Sequence, residues 1–160
     1  MQFSPLIQRY EADLARRQLR GDRIGQAMVL YLLGQAYAEQ QAWDEAIECY
    51  RTSQLLCQNL GDRQGEGLAL HSLGVAYAKQ GCWSEAGQSF EDSLAIQREL
   101  KDPDSEWLNL VNLGKVYLQQ GLPAKAISCW QAALLLLPPD TLEHQQVSHW
   151  IAAVDSGNKS

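Results

Sequence analysis

Apolar residues recur along this chain at the spacing of amphipathic helices, and glycine or aspartate interrupts the pattern at regular intervals. Leu, Ala, Gln and Glu are abundant and only five prolines occur, so the composition favours helix as well. The pattern predicts helices at residues 5–20, 23–40, 43–60, 63–80, 83–100, 103–120, 122–137 and 141–154.

The predicted helices repeat with a period of 40 residues. A Leu-Gly pair is followed each time by tyrosine, at Leu33, Gly34 and Tyr37, at Leu73, Gly74 and Tyr77, and at Leu113, Gly114 and Tyr117. The same register holds an alanine column and an aromatic column: Ala46, Ala86 and Ala126, and Tyr10, Tyr50, Phe90 and Trp130. Self-similarity at such a period indicates a solenoid of helical hairpins.

Turn and capping residues mark the joints between helices. Asp22, Asp62 and Asp102 precede apolar segments, where a carboxylate can accept from free backbone N–H groups, and Asp140 is expected to cap the last helix. Left-handed turns are expected at Gly21, Gly61, Gly81 and Gly121. We predict one domain over 1–155: a half repeat at 5–20, repeats at 23–60, 63–100 and 103–137, a capping helix at 141–154, and a disordered tail at 156–160.

The glycines of the Leu-Gly pairs lie inside predicted helices, where glycine costs about 1 kcal/mol relative to alanine. Close approach of the partner helix is the natural compensation. We expect the alanine column, Ala46, Ala86 and Ala126, to face these glycines.

These motifs resemble the tetratricopeptide repeat. The residues that carry the resemblance are Leu110, Leu113, Gly114, Tyr117, Ala126, Trp130 and Pro138, and the two preceding repeats match most of them. The repeats are longer than the family's usual length of about 34 residues, and are similar to the subgroup that includes kinesin light chains and spindle-orienting cortical adaptors. The resemblance implies an all-α solenoid of antiparallel helix hairpins in a right-handed superhelix.

In that family the first helix of each hairpin lines a concave groove that receives a peptide or helix of another protein. The resemblance therefore implies a non-enzymatic scaffold, adaptor or assembly factor. Regulation of an enzyme is a further alternative, for which no residue speaks. Its expected groove residues are Met28, Tyr31, Gln35, Leu68, His71, Val75, Trp107, Leu108, Val111, Asn112 and Lys115. An alternative remains open for the column of Met28, Leu68 and Leu108, which would instead seal neighbouring repeats.

Charge narrows the choice of partners. The formal net charge of -6 repels phosphate backbones, so a nucleic acid is not expected. Acidic residues concentrate on the second helices of the hairpins, which we interpret as a solvated convex face. The alternative is that this face attracts a basic partner. The acidic residues are Asp44, Glu45, Glu48, Glu85, Glu91, Asp92 and Glu99. No secretory signal or membrane-spanning segment is readable, so we expect a soluble, cytoplasmic protein.

No arrangement of residues indicates catalysis, a metal or a cofactor. The segment 61–67 is glycine-rich, but no strand precedes it and no Lys-Ser or Lys-Thr follows. The four cysteines, Cys49, Cys57, Cys82 and Cys129, lack metal-ligand or disulfide spacing and are expected to stay reduced.

The N-terminal helix carries apolar residues where a solenoid end usually has polar ones. A second copy of the chain or the client could cover them, which would make the chain a self-associating module, or they could fold onto Tyr31 and Leu32. The residues in question are Phe3, Leu6, Ile7 and Tyr10.

Overall fold

A computed structural model describes residues 4–157, which form eight α-helices and no strand. The helices are α1 Pro5–Leu19, α2 Arg23–Glu39, α3 Trp43–Leu60, α4 Arg63–Lys79, α5 Trp83–Leu100, α6 Pro103–Gln119, α7 Pro123–Leu134 and α8 Leu142–Gly157. The all-α prediction is confirmed, and each of the eight helices overlaps its predicted range.

The chain divides into two compact units, one ending at Cys82 and the other beginning at Trp83. The first unit contains α1 to α4 and the second α5 to α8, and within each unit consecutive helices pack against one another. Most of the connections are two or three residues long, so neighbouring helices within a unit run antiparallel. No helix in the described part of the chain has the length and apolar character needed to span a membrane.

The caps predicted at Asp22, Asp62 and Asp102 and the four predicted glycine turns are confirmed. The carboxylates of Asp22 and Asp62 each accept from the backbone N–H three residues on at 2.9 Å, and that of Asp102 does so at 3.2 Å. Positive φ angles occur at all four predicted glycines, Gly21, Gly61, Gly81 and Gly121, and also at Gln41 and Lys101. The described chain therefore makes a left-handed turn every 20 residues between 21 and 121.

The intrahelical glycines face aromatic rings rather than the alanine column. A Cβ atom on Gly34 would lie 2.7 Å from the ring of Tyr50, and one on Gly114 would lie 2.3 Å from Nε1 of Trp130. The expected alanine partners are therefore wrong for these two glycines. The alanines themselves are fully buried: Ala46, Ala86 and Ala126.

The tyrosines that follow the Leu-Gly pairs tie each first helix to the helix before it. The Tyr37 hydroxyl donates to Glu11 at 2.8 Å, and the Tyr117 hydroxyl donates to Glu91 at 2.5 Å. In the next repeat the equivalent residues are Arg51 and Tyr77, and Arg51 donates to the hydroxyl of Tyr77. Each bond joins residues 26 apart, so the repeat fixes one polar contact per joint.

The C-terminal boundaries differ from those predicted. Helix α7 ends at Leu134 rather than 137: the N–H groups of Leu136 and Leu137 both donate to the Ala133 carbonyl, and Pro138 has no N–H and disfavours the helical conformation at Leu137. Thr141, not Asp140, caps α8: its Oγ1 accepts from the N–H of His144 at 3.2 Å. Helix α8 continues to Gly157, so the predicted disordered tail is wrong at 156 and 157, and 158–160 lie outside the described residues.

Candidate functional site

A cavity of about 460 Å³ opens between α2, α3 and α4; we call it the α2–α4 pocket. Its lining residues are Ile24, Ala27, Met28, Tyr31, Ser53, Cys57, Leu60, Gly61, Asp62, Gly65 and Leu68. Large apolar side chains at its edge stay exposed: Ile24 is 70% exposed, Met28 61%, Leu68 43% and Leu60 42%. This exposed apolar surface would lose water if another molecule covered it.

The interior of the α2–α4 pocket is formed by small and polar groups. Ser53 is 1% exposed and donates to the carbonyl of Ala27 at 2.8 Å, which joins α3 to α2. Cys57 is buried, and that burial raises the pKa of its thiol. Asp62 adds a carboxylate to the wall through its capping position at the start of α4. The pocket is therefore apolar apart from a few polar groups that include one carboxylate.

Tyr31 is held at one side of this pocket by contacts to two other helices. Its ring centroid lies 5.7 Å from that of Tyr50 on α3, and its hydroxyl is 3.5 Å from Oγ of Ser72 on α4. The amide of Gln35 lies 3.4 Å from the same hydroxyl. A side chain held in place loses little entropy when a partner binds.

The predicted groove residues of the first unit lie in more than one place. Met28, Tyr31 and Leu68 share the α2–α4 pocket, whereas Val75 lines a smaller cavity of about 100 Å³ beside Tyr50 and Ser72. Gln35 is exposed and His71 is half-buried. The structure therefore brings three of the six predicted residues together.

In the second unit a cavity of about 360 Å³, the α6–α8 pocket, is lined by Lys115, Leu118, Trp130, Trp150, Ala153 and Val154. Nζ of Lys115 lies 4.7 Å from the ring centroid of Trp150, a cation–π distance. The Trp150 ring in turn packs 5.8 Å from that of Trp130. Sequence reasoning missed Trp150, because it assigned this segment only the role of a capping helix.

Of the other groove residues predicted in the second unit, Val111 is not at the surface. Val111 is only 5% exposed, and its carbonyl accepts from Nε1 of Trp130 at 3.1 Å, so it belongs to the core. Leu108 is 38% exposed, and Trp107 and Asn112 are half-buried.

The predicted self-association surface on α1 is smaller than expected. Ile7 is fully buried and is therefore unavailable to a partner, which corrects the prediction for that residue. Leu6 is 44% exposed and Tyr10 half-buried, beside a cavity that also involves Arg9, Asp13 and Arg16. Phe3 lies outside the described residues.

The described residues contain no cluster of three or more His, Cys, Asp or Glu side chains that could hold a metal ion. All four cysteines are free thiols. Two of the acidic residues predicted for the convex face are exposed and also make hydrogen bonds between helices. Asp44 accepts from the amide of Gln80 at 2.6 Å, and Glu91 accepts from Tyr117.

Solved structures of similar fold come from several proteins. The nearly identical TPR-like repeats assigned to a kinesin light chain of Podosopora anserina align over 96% of this chain and 77% of theirs, with a TM-score of 0.80 and 18% identity. BtubC from P. vanneervenii aligns over 81% of this chain, with a TM-score of 0.76 and 24% identity. The TPR domain of Arabidopsis FLU aligns over 71% of this chain and 95% of that domain, with a TM-score of 0.68 and 20% identity.

The match to BtubC spans about half of that protein, 54% of its chain. At these identities the likenesses show the fold alone. No curated protein matches the sequence as a relative. A tetratricopeptide repeat family model matches residues 25–99 and again 65–135, which together are more than half of the chain. With the Leu-Gly pairs, the tyrosine bonds and the eight helices, this match shows that the chain belongs to the tetratricopeptide repeat family.

Proposed function

We propose that this chain is a non-catalytic adaptor or assembly factor that binds a peptide or helix of another protein at the α2–α4 pocket. The observation that carries the proposal is the set of exposed apolar side chains around a cavity of about 460 Å³. Tetratricopeptide repeats in general serve as protein-interaction modules, and a pocket with an apolar rim is the kind of surface that a client's apolar side chains would fill.

Two features support this pocket as the binding site. Met28 and Leu68 lie on α2 and α4, the first helices of their hairpins, and both are among the residues that the family resemblance assigns to the groove. Tyr31 supplies an anchored aromatic side chain next to them, and aromatic residues dominate binding energy at protein interfaces. The α6–α8 pocket, with Lys115 and Trp150, provides a further contact site on the same grounds.

A comparison of two leucines tests the proposal. Leu68 at the pocket is 43% exposed, and Leu55 on α3 is 49% exposed but does not line the pocket. Leu68→Gln and Leu55→Gln therefore make the same chemical change at similar exposure. We expect proteins captured by the wild type to be lost from Leu68→Gln and kept by Leu55→Gln, as measured by quantitative mass spectrometry. Equal retention by both variants contradicts the proposed site.

Self-association through α1 is a second proposed function. Leu6 is 44% exposed, whereas the alanines at the equivalent position of the later repeats, Ala46, Ala86 and Ala126, are fully buried. A second copy could cover this leucine together with Tyr10. Light scattering at high micromolar concentration would then show a dimer for the wild type and a monomer for Leu6→Glu. A monomeric wild type excludes this function.

A further inference from the structure

The repeat places a different side chain beside the capping aspartate at each joint between a second helix and the following first helix. The aspartates are Asp22, Asp62 and Asp102, and the residues five positions before them are Arg17, Cys57 and Gln97. One column thus contains a long cation, a short thiol and an amide. The consequences at the three joints can be compared within one molecule.

At the joint between α1 and α2, the space beside the capping aspartate is filled by a guanidinium. Arg17 donates through Nη1 to Asp22 at 2.7 Å and through Nε to Asp13 at 2.9 Å. The guanidinium lies so close to the helix start that a Cβ atom on Gly25 would stand 1.9 Å from its Nη1. A cation supplied by the chain itself therefore pairs with the cap of α2.

At the joint between α5 and α6, the column holds Gln97, which is 3% exposed. Asp102 there accepts from the N–H of Ser105. A long polar side chain again occupies the column, buried in the interior of the second unit.

At the joint between α3 and α4 the column residue is Cys57, which is too short to fill the same space, and the α2–α4 pocket opens there. A Cβ atom on Gly65 would meet Oδ2 of Asp62 at 2.4 Å and Sγ of Cys57 at 2.7 Å, so the carboxylate and the thiol both border the start of α4. Among residues 4–157, no Arg or Lys forms an ion pair with Asp62.

We propose that the α2–α4 pocket binds an arginine side chain of the client segment. Its guanidinium would pair with Asp62 as that of Arg17 pairs with Asp22, and its methylenes would lie against Met28, Leu60 and Leu68. This inference rests on the proposed function and deepens it by naming the chemistry of the client. The exposed Ile24 and Met28 extend the apolar surface beyond one side chain, which indicates a protein segment rather than free arginine.

Arginine fits this site better than lysine does. Its planar guanidinium can offer two donors to one carboxylate, and it is more weakly hydrated than an ammonium, so it enters an apolar pocket more readily. The net charge of -6 also attracts a basic segment. A client with an arginine flanked by apolar residues would pair with the Asp62 carboxylate in the wall of the pocket and cover the apolar side chains at its rim.

Random peptides displayed on phage test the inference without a known client. Selection is run in parallel on the wild type, on Asp62→Asn and on Asp102→Asn; asparagine caps helices as well as aspartate does, so both variants should fold. We expect arginine to be enriched at one peptide position for the wild type and for Asp102→Asn, and not for Asp62→Asn. Selected peptides without an arginine preference, or with the same preference on Asp62→Asn, would overturn the inference but leave the proposed function standing.

The best selected peptide allows a measurement of affinity. Replacing its arginine by citrulline removes the charge and keeps the shape, so we expect Kd to rise about tenfold on the wild type and little on Asp62→Asn. Equal affinity of the two peptides for the wild type contradicts the inference, as does free arginine that binds as tightly as the peptide. If no peptide is selected, the proposed function fails and the inference fails with it.

Cys57→Arg supplies the missing guanidinium from within the chain, at the position that Arg17 occupies in the first joint. We expect this variant to keep the helical circular dichroism of the wild type and to lose peptide binding. A folded Cys57→Arg that binds the peptide with unchanged affinity would contradict the inference. If it does not fold, the Asp62→Asn and citrulline measurements still decide the matter.

Discussion

Trp130 packs directly on the backbone of Gly114: a Cβ atom at that glycine would lie 2.3 Å from Nε1 and 2.6 Å from Cδ1 of the indole. Trp130 is 2% exposed and donates to the carbonyl of Val111, so the ring has little freedom to move. The glycine is therefore required by the ring of the partner helix.

We predict that Gly114→Ala destabilises the chain although alanine is the better helix former. The gain in helix propensity is about 1 kcal/mol, whereas overpacking costs about 1–3 kcal/mol and displacing the ring also strains the indole hydrogen bond, on the order of 1 kcal/mol. The expected net loss in the free energy of unfolding is about 1–3 kcal/mol, measured by urea denaturation.

Gly87→Ala is the matched control in the same unit. A Cβ atom there would meet Val116 Cγ1 at 3.6 Å, an ordinary contact, so alanine should raise stability by up to about 1 kcal/mol. If the two alanine variants change stability in the same direction, the close packing of Trp130 on Gly114 does not limit this position.

The helices and their joints were predictable because the same capping and turn residues recur in each repeat. Asp22, Asp62 and Asp102 cap as expected, and glycine marks four of the left-handed positions. Gln41 and Lys101 adopt the same conformation without glycine. The left-handed conformation of these two residues could not be predicted from their residue types. It costs only about 1–2 kcal/mol for a residue with a side chain, and the packing of the two flanking helices can offset that cost.

The candidate site was predictable only in part. Met28, Tyr31 and Leu68, which the resemblance assigned to one groove, line one pocket, but the pocket itself is formed by three helices together and could not be read from the spacing within any one of them. Val111 and Ile7 were assigned to surfaces although both are buried. One residue step turns a helix by about 100°, so a small error in the assigned face moves a side chain from groove to core.

We predict that Cys82 is the cysteine that reacts first with iodoacetamide. Burial raises the pKa of Cys49 to about 11, and it also raises the pKa values of Cys57 and Cys129, so these three stay protonated near neutral pH. Cys82 lies just ahead of α5 and, like Cys129, is only partly buried. Peptide mass spectrometry after brief labelling should find it modified before the others, and labelling of Cys57 at the same rate would show that the α3–α4 joint opens easily.

We predict that Glu91→Gln lowers the pKa of the Tyr117 hydroxyl. The hydrogen bond to the Glu91 carboxylate, followed by burial, raises that pKa to about 12 from 10.0. A raised pKa means that the stabilisation is complete below pH 10.0 and is lost as the pH rises through about 12. Alkaline titration of tyrosinate absorbance, with Tyr117→Phe to identify the signal, measures the shift, and an unchanged titration in Glu91→Gln refutes it.

The cluster of Asp13, Arg17 and Asp22 should make the first unit sensitive to acid. Hydrogen bonding by the Arg17 guanidinium is the main cause that lowers the pKa of Asp13; for Asp22 the main cause is the Gly25 N–H, and Arg17 contributes further. If the pKa of a carboxyl group in the folded chain lies below its ordinary value of 3.8, that group stabilises the fold at every pH above 3.8. The stabilisation disappears as the pH falls through the lowered pKa.

We therefore predict that Arg17→Met is less stable than the wild type near neutral pH. The difference in stability should shrink as both proteins are acidified below pH 3.8, because the carboxylates that Arg17 stabilises then become protonated in the wild type. Thermal melts across this range measure the difference. Arg16→Met is the control, since Arg16 is 65% exposed and lies 3.4 Å from Asp13 without contacting Asp22 in any described ion pair. It should change stability less at every pH. A gap between wild type and Arg17→Met that stays constant down to the acid transition would mean that Arg17 acts through the packing of its methylenes rather than through its charge.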